Sequence, residues 1–494
     1  MGIVLRQSLM NMTYSYAGAV IGFINVIWLF PYVLEAEQFG LTRVMISIAM
    51  IGAQVASLGM GNVTLRFFPQ FRNREKRHFG YLFIAATLPL AGFLLLSLAG
   101  WIFREPVISF YSDESVLFGE YYALLLPLLL FILYFHILEC YIRSLFDTVA
   151  ATFLQDILLR FLHTILIVVY YFNVITFPAF MWLFVLAYAV QTLLLLAHIG
   201  HKRQLFFIPD FSGFTRERVR SMADYALFAT IGSVATIAFS NIDMIMLGGL
   251  ASLGETAIYA VSFYLASLIK IPSKALMKIS QPIIAEANNK NDIATVSSIY
   301  TKSSINQLLA GGLLFILVWV NLDHVYRFLP EEYHAGAYVF LFVGLAKLFD
   351  MTAGFNATII RTSRWYRFDL YATVLLLVLM IITNLIFIPI FGIVGAAMAT
   401  ALSIFLQNSA SFLYVKYRFG IQPFSRATPV ALFVLVFIMG VSALIPETPL
   451  WVADLIIRSA AAAGLFAFAV IWLNLSEDLQ QFIRDILRIV TGKW

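Results

Sequence analysis

Charge is scarce in this chain. Of 494 residues only 12% are Asp, Glu, Lys or Arg, about half the share usual in a soluble domain, which excludes an ordinary soluble globular class. Cys140 is the sole cysteine, so no internal disulfide can form. The seven histidines (78, 136, 163, 198, 201, 324, 334) fall at no metal-ligand spacing, and no HExxH, Asp-x-Asp or P-loop pattern occurs, which leaves no motif for a metal or nucleotide site. Large polar connections are also missing, so no soluble domain is expected. The first apolar run is too long for a signal-peptide core and carries no small-residue cleavage site, so it should remain as a first membrane span.

What is present is apolar and periodic. Mean hydropathy is +0.89, and 61% of residues are apolar. Runs of about 20 residues, each sufficient to cross a hydrocarbon core, recur at about 10–33, 41–66, 79–102, 119–142, 149–171, 177–200, 222–248, 256–284, 304–321, 334–360, 368–389, 391–415, 428–446 and 452–474. They are too long and too uniformly apolar for barrel strands. The fold class is therefore an all-α polytopic membrane protein with about 14 transmembrane helices. Trp28, Tyr32, Trp101, Tyr170, Trp319 and Trp451 sit near run ends, as interfacial belts require.

The basic residues supply an independent check on orientation. With the N-terminus inside, connections on the inner side carry 23 of the 32 Lys and Arg residues, and those outside only Arg104 and Arg327. A missed helix would invert everything after it, so this bias predicts cytoplasmic N- and C-termini. The net charge of +5 is scattered over short loops and does not point to nucleic acid. The longest inner connection within the first twelve runs, 201–220, separates six runs from six. Its aromatic residues with flanking Arg and Lys suit a segment lying on the membrane surface. Two six-helix bundles joined in this way form a common transporter plan, with substrate between them near the midplane. The expected organisation is an N-terminal six-helix lobe (1–205), an inter-lobe linker (206–221), a C-terminal six-helix lobe (222–420), two extra helices (421–475) and an amphipathic tail (476–494). In that tail Leu479, Phe482, Ile483, Ile486, Leu487 and Val490 share a face opposite Arg484 and Arg488, with Ser476 as N-cap and Glu477 and Asp478 in the first turn.

Charges within the runs are few and unevenly placed. Lys270, Lys274 and Lys278 repeat every fourth residue, which stacks three ammonium groups on one helix face. A lipid-facing charge near the bilayer centre costs at least about 2.5–3.5 kcal/mol, so three together should face water or an anion. Asp156/Arg160, Asp454/Arg458 and Lys347/Asp350 are spaced to pair within their own helices, and Arg143/Asp147 is expected to pair at the inner interface. Arg43 lies early in the second run and either snorkels or faces a cavity. Asp243 has no partner on its own helix; a neutral carboxyl, a partner on another helix, and a cation or proton site all remain open. Runs 80–103, 121–138, 177–197, 303–322, 370–415 and 427–446 contain no charge and are expected to be able to face lipid.

Several segments resemble a known family. Asn241-Ile-Asp-Met-Ile-Met-Leu-Gly248, Ile258-Tyr-Ala-Val261, and Ile271-Pro272 with Gln281-Pro-Ile-Ile284 look like the seventh and eighth spans of polysaccharide transporters. Phe39-Gly-Leu-Thr-Arg43, Ser57-Leu-Gly-Met-Gly61, Arg66-Phe-Phe-Pro69 and Ile388-Pro-Ile-Phe-Gly-Ile-Val-Gly-Ala-Ala-Met-Ala-Thr-Ala401 fit the same pattern. The resemblance covers essentially the whole chain. It is to the Wzx-type lipid-linked oligosaccharide flippases of the multidrug/oligosaccharidyl-lipid/polysaccharide exporter superfamily. It implies two six-helix lobes around a central cavity lined largely by spans 1, 2, 7 and 8, working by alternating access in the bacterial cytoplasmic (inner) membrane. The implied substrate is an undecaprenyl-pyrophosphate-linked oligosaccharide for surface polysaccharide such as the O-antigen of lipopolysaccharide. Lys270, Lys274, Lys278 and Arg43 occupy the helices whose basic residues would hold the pyrophosphate, although relatives often carry arginine there. Asp243 and Asp350 are the candidates for coupling to H+ or Na+. Membrane lipids and a polysaccharide polymerase are the implied partners, with no cofactor, no catalytic role and no nucleic acid. Two other readings differ in testable ways. A drug/cation antiporter of the same superfamily would have twelve spans and central acidic residues, and a membrane polymerase or ligase would carry a large outer loop. The longest outer loop here, 103–119, is short.

Overall fold

The computed structural model describes residues 2–112, 116–446 and 448–491. No strand occurs among them; helices follow one another from end to end. Twelve helices among the described residues are long and apolar enough to cross a membrane, and the chain is a multi-pass membrane protein. One of the twelve, Arg367–Phe419, has 53 residues and leaves helical geometry at Gly392 (φ 55°, ψ −134°). A straight helix of that length would reach about 80 Å, more than twice a hydrocarbon core of about 30 Å, so it holds two spans, 367–391 and 393–419. A Cβ on Gly395 would lie 2.1 Å from the Phe387 carbonyl oxygen, so the chain turns back on itself too closely there for any side chain. With the shorter apolar helix Ala427–Ala443, fourteen spans follow in order, and they are numbered accordingly.

Helix ends follow local chemistry. Thr215 caps Arg216–Leu250 by accepting from Arg218 N at 3.3 Å, and Asp292 caps Ile293–Trp319 through Thr295 N at 3.0 Å. Ser476 caps the tail helix Glu477–Thr491 through Leu479 N at 3.2 Å, with Glu477 and Asp478 in its first turn, where they complement the positive end of the helix dipole. The side chains of Phe482, Ile486, Leu487, Arg488 and Val490 on that tail lie outside the described residues, as do residues 113–115 of the outer loop and Lys493.

The chain divides into two compact units, Met1–Ala260 and Val261–Trp494. In the first, span 2 (Ala36–Ala56) packs along span 7 (Arg216–Leu250) and span 4 (Leu117–Ser144), and span 1 packs on span 5. The 204–214 stretch lies against the same unit. Phe214 stacks on Phe71 at 4.6 Å, and Gln204 Oε1 meets His78 Nε2 at 2.8 Å. In the second unit, span 9 (Ile293–Trp319) is the hub, touching span 10, both extra helices 13 and 14, and the helix Ile271–Asn289.

Burial follows charge only in part. The most buried windows, 61% and 56%, belong to spans 2 and 8, which carry Arg43 and Lys270. Half of the window is also buried in spans 4, 6 and 9, whose central stretches hold no charge, against 22% in span 5 and 17% in span 14, which carry charges. Apolar side chains pack on one another as readily as on lipid tails, so close packing and small polar groups decide which helix is interior. Span 9 buries Ser303, Ser304 and Gln307, a polar stripe that a search for ionised residues passes over.

The tightest helix contact is at Gly40, where a Cβ would sit 1.7 Å from the Leu253 carbonyl oxygen. Gly40→Ala is expected to push span 2 away from that backbone at about 1–3 kcal/mol or more. The loss shows as a lower midpoint in detergent thermostability assays; an unchanged midpoint would count against this packing.

Candidate functional site

Pro272 shapes the lysine stripe. Lacking an N–H, it cannot bond the Leu268 carbonyl, which accepts from Ile271 N instead, and Leu268–Lys270 tightens into a 3-10 turn. The α-helix Ile271–Asn289 starts beyond it. The stripe therefore crosses a helix junction, with Lys270 half-buried before it and Lys274 and Lys278 exposed after it.

Lys270 is not bare. Its Nζ forms an ion pair with Asp350 Oδ2 of span 10, and the two side chains are 29% and 28% exposed. Asp350 Oδ1 accepts from Asn408 Nδ2 of span 12 at 2.9 Å. Asn408 is steadied in turn by Ile404 O at 3.0 Å and by Asn356 Nδ2 at 3.3 Å. This corrects the expected Lys347/Asp350 pair. Lys347 Nζ instead lies over the Phe263 ring, 4.9 Å from its centroid, an attraction between the cation and the ring quadrupole. Asn408 was not foreseen. In the sequence it is one of a few uncharged amides, beside Gln407, in a run free of charge.

Arg43 belongs to the first unit. Its guanidinium sits 4.6 Å from the Phe39 centroid and 5.4 Å from that of Phe30, so aromatic faces cover the cation. Asp243 of span 7 is 5% exposed and accepts from Tyr259 Oη at 2.7 Å. The structure thus gives this carboxyl a hydrogen-bond partner on the following helix.

Two other local pairs do not form: a π-helical stretch interrupts one, and the helix of the other ends at Ser144, before Asp147. Asp156 lies in a π-helical stretch, Phe153–Leu158, where the wider turn breaks the four-residue register. Asp156 accepts from Ser15 Oγ at 2.8 Å, and Arg160 donates to the Gly18 carbonyl, both on span 1. Span 1 has its own π-helical stretch, Ile24–Leu29, and Asn25 within it donates to Arg160 O at 2.9 Å. Asp147 turns from Arg143 to His198 and Lys202, at 3.0 and 3.4 Å. Burial raises the Asp147 pKa, but these two partners outweigh it and hold the carboxyl below its usual range. Asp454/Arg458 does form, at 2.7 Å.

Known proteins place this architecture. The solved "Lipid II flippase MurJ, inward closed conformation" aligns with a TM-score of 0.71 over 97% of this chain and all of that one, at 12% identity. A "multidrug resistance MATE family transporter of the MOP superfamily", inward-facing, aligns with a TM-score of 0.64 over 83% of this chain and 98% of that one, at 14% identity. At such identities the likeness is one of fold alone. The family model described as "Polysaccharide biosynthesis protein" matches residues 4–284, more than half of the chain, and the chain belongs to that family. Among curated relatives, the "Probable low-salt glycan biosynthesis flippase Agl15" of Haloferax volcanii is 23% identical over 212 residues, 41% of this chain and 45% of the relative. The "Probable flippase AglR" of the same organism is 26% identical over 202 residues, 39% of this chain and 41% of the relative. The chain thus spans less than half the length of the curated relatives it matches. Arg43, Asp243 and all three lysines fall inside the family segment, and Asp350 and Asn408 outside it.

Proposed function

We propose that this protein is a flippase, a transporter and not an enzyme, which moves a lipid-linked oligosaccharide from the cytoplasmic to the outer leaflet by alternating access. The observation that carries the reading is the run of Lys270, Lys274 and Lys278 within the family segment, on a helix that leaves the second and third exposed. Lysine is a compact point charge, suited to a phosphate that must be released again. The head group in this reading is a polyprenyl diphosphate, undecaprenyl in a bacterial inner membrane, for which the three lysines and, independently, Arg43 are the candidate cations. The glycan serves surface polysaccharide such as an O-antigen and passes to a polymerase after crossing.

No nucleotide-binding motif occurs in the sequence, and one charge crossing 100 mV gains about 2.3 kcal/mol, so we assign the driving force to a proton or sodium gradient acting at Asp243 or Asp350. Proteoliposomes test both statements. Purified protein should flip a diphosphate-linked glycolipid, and an imposed gradient should accelerate flipping in wild type but not in Asp243→Asn. Absence of flipping overturns the function. Flipping indifferent to both gradients removes the coupling and leaves downhill transport drawn by consumption outside.

Topology in this reading places both termini and the 201–220 stretch in the cytoplasm. In a Cys140→Ala background, a cysteine at Ser212 should resist an impermeant thiol reagent in intact cells and react after permeabilisation. Labelling from outside would refute the orientation.

A further inference from the structure

The partly exposed ion pair of the second unit acquires a meaning once the lysines are read as an anion site, and the role assigned to Asp350 depends on that reading. Lys270 carries an internal carboxylate, Asp350, while Lys274 and Lys278, one and two turns further on, are exposed. The pair is neither sealed in the core nor free in solvent. With more than a quarter of each side chain exposed, an entering anion can reach it. Asn408 grips the far oxygen of Asp350 and keeps the carboxylate tethered while its near oxygen is exchanged. Lys347 lies three residues before Asp350 on the same helix, within reach of that carboxylate along one helix face.

We propose that Asp350 is a built-in surrogate for the substrate's diphosphate. It occupies Lys270 when the site is empty, is displaced towards Lys347 by an incoming diphosphate, and returns to Lys270 to drive the anion out. A released carboxylate within a membrane protein needs another cation, because an uncompensated charge there is strongly unfavourable; Lys347 provides one. The tether also sets a threshold for the ligand. A monoanion offers Lys270 no more than Asp350 already does, whereas a diphosphate brings several charges and enough oxygens to engage Lys270 and Lys274 together. Asp350 thus selects for a multiply charged head group and prevents its trapping, since apparent affinity is scaled down when only a small fraction of sites has its lysine unoccupied.

The test is diphosphate binding to the full-length protein in nanodiscs, with inorganic pyrophosphate and a C15 polyprenyl diphosphate as separate probes. Asp350→Asn preserves shape and removes the competitor, and should tighten binding of both probes about tenfold. Lys270→Gln should weaken both, and Lys270→Gln/Asp350→Asn should bind no tighter than Lys270→Gln, the coupling signature of a shared partner. Lys347→Met, which removes the receiving cation, should weaken binding and gives a readout even where Asp350→Asn does not fold. Unchanged affinity in folded Asp350→Asn, tightening that persists without Lys270, or unaltered binding in Lys347→Met overturns the surrogate. Unaltered binding in Lys270→Gln overturns the anion site itself. Tightening for the polyprenyl probe alone would assign the exchange to the lipid head group, and tightening for both to the diphosphate irrespective of its lipid.

Discussion

Glycan export should fall below detection when Lys270 and Lys274 are both replaced by Gln. A hydrogen bond to a charged group contributes roughly 1.5–3 kcal/mol, so losing two contacts to a diphosphate weakens binding on the order of 10²–10⁴-fold. Lys270→Gln alone leaves Asp350 without its cation, a change that destabilises the fold as well as the site. Lys270→Gln/Lys274→Gln/Asp350→Asn removes the stranded charge and should keep wild-type abundance in the membrane while export stays lost. Lys274→Gln by itself, exposed and outside that pair, should reduce export less and leave abundance intact. Arg43→Ala should also be milder, its guanidinium lying against Phe30 and Phe39. Normal export by the triple variant, measured as surface glycan per unit of protein in the membrane, would make the lysine face structural.

The largest stability loss is expected from Asp454→Ala. This carboxylate is 1% exposed and gathers His324 Nε2 at 2.6 Å, Arg458 Nε at 2.7 Å and Thr448 N at 3.0 Å. It ties span 14 to the segment after span 9, and Asn321 Nδ2 adds a bond to Ser459 Oγ at 3.0 Å. Removing it strands a buried guanidinium and its neighbours, at roughly 3–5 kcal/mol. Asp454→Asn keeps one acceptor and should fall between Ala and wild type. Asp454→Leu/Arg458→Leu/His324→Leu, which removes the charged partners together, should recover most of the loss, since apolar replacement of a whole buried network is often neutral. Thermal midpoints in detergent measure the series. Asp454→Ala at the wild-type midpoint would mean that the network does not anchor the extra helices.

Expected and observed pairings part company at particular residues. Four pairs were expected from spacing along single helices, and only Asp454/Arg458 forms as such. Asp156 and Arg160 are turned onto span 1 by a π-helical stretch, whose extra residue per turn leaves no mark in the apolar pattern. Asp350 takes a lysine 80 residues away over one three residues away, because the Pro272 junction delivers Lys270 to span 10. Asn408 leaves little mark in the sequence because an uncharged amide in a long apolar run weighs little in any hydropathy average, although its hydrogen bond orients the carboxylate of Asp350.

Fourteen apolar segments, the bias of basic residues between alternate loops and the periodic lysines were all legible in the primary structure. Each is a property of one segment summed over many residues, and the free energy of placing that segment in lipid depends little on its neighbours. Which helices are interior, which cation meets which carboxylate, and whether Lys270 stands open or occupied were settled only by folding. Those outcomes depend on helix rotation and on close approaches such as Gly40 against Leu253 and Gly395 against Phe387. Helix rotation and the first of these approaches are set by packing between residues far apart in the chain, where a shift of about one ångström exchanges one hydrogen-bond partner for another, and the second by the turn at Gly392.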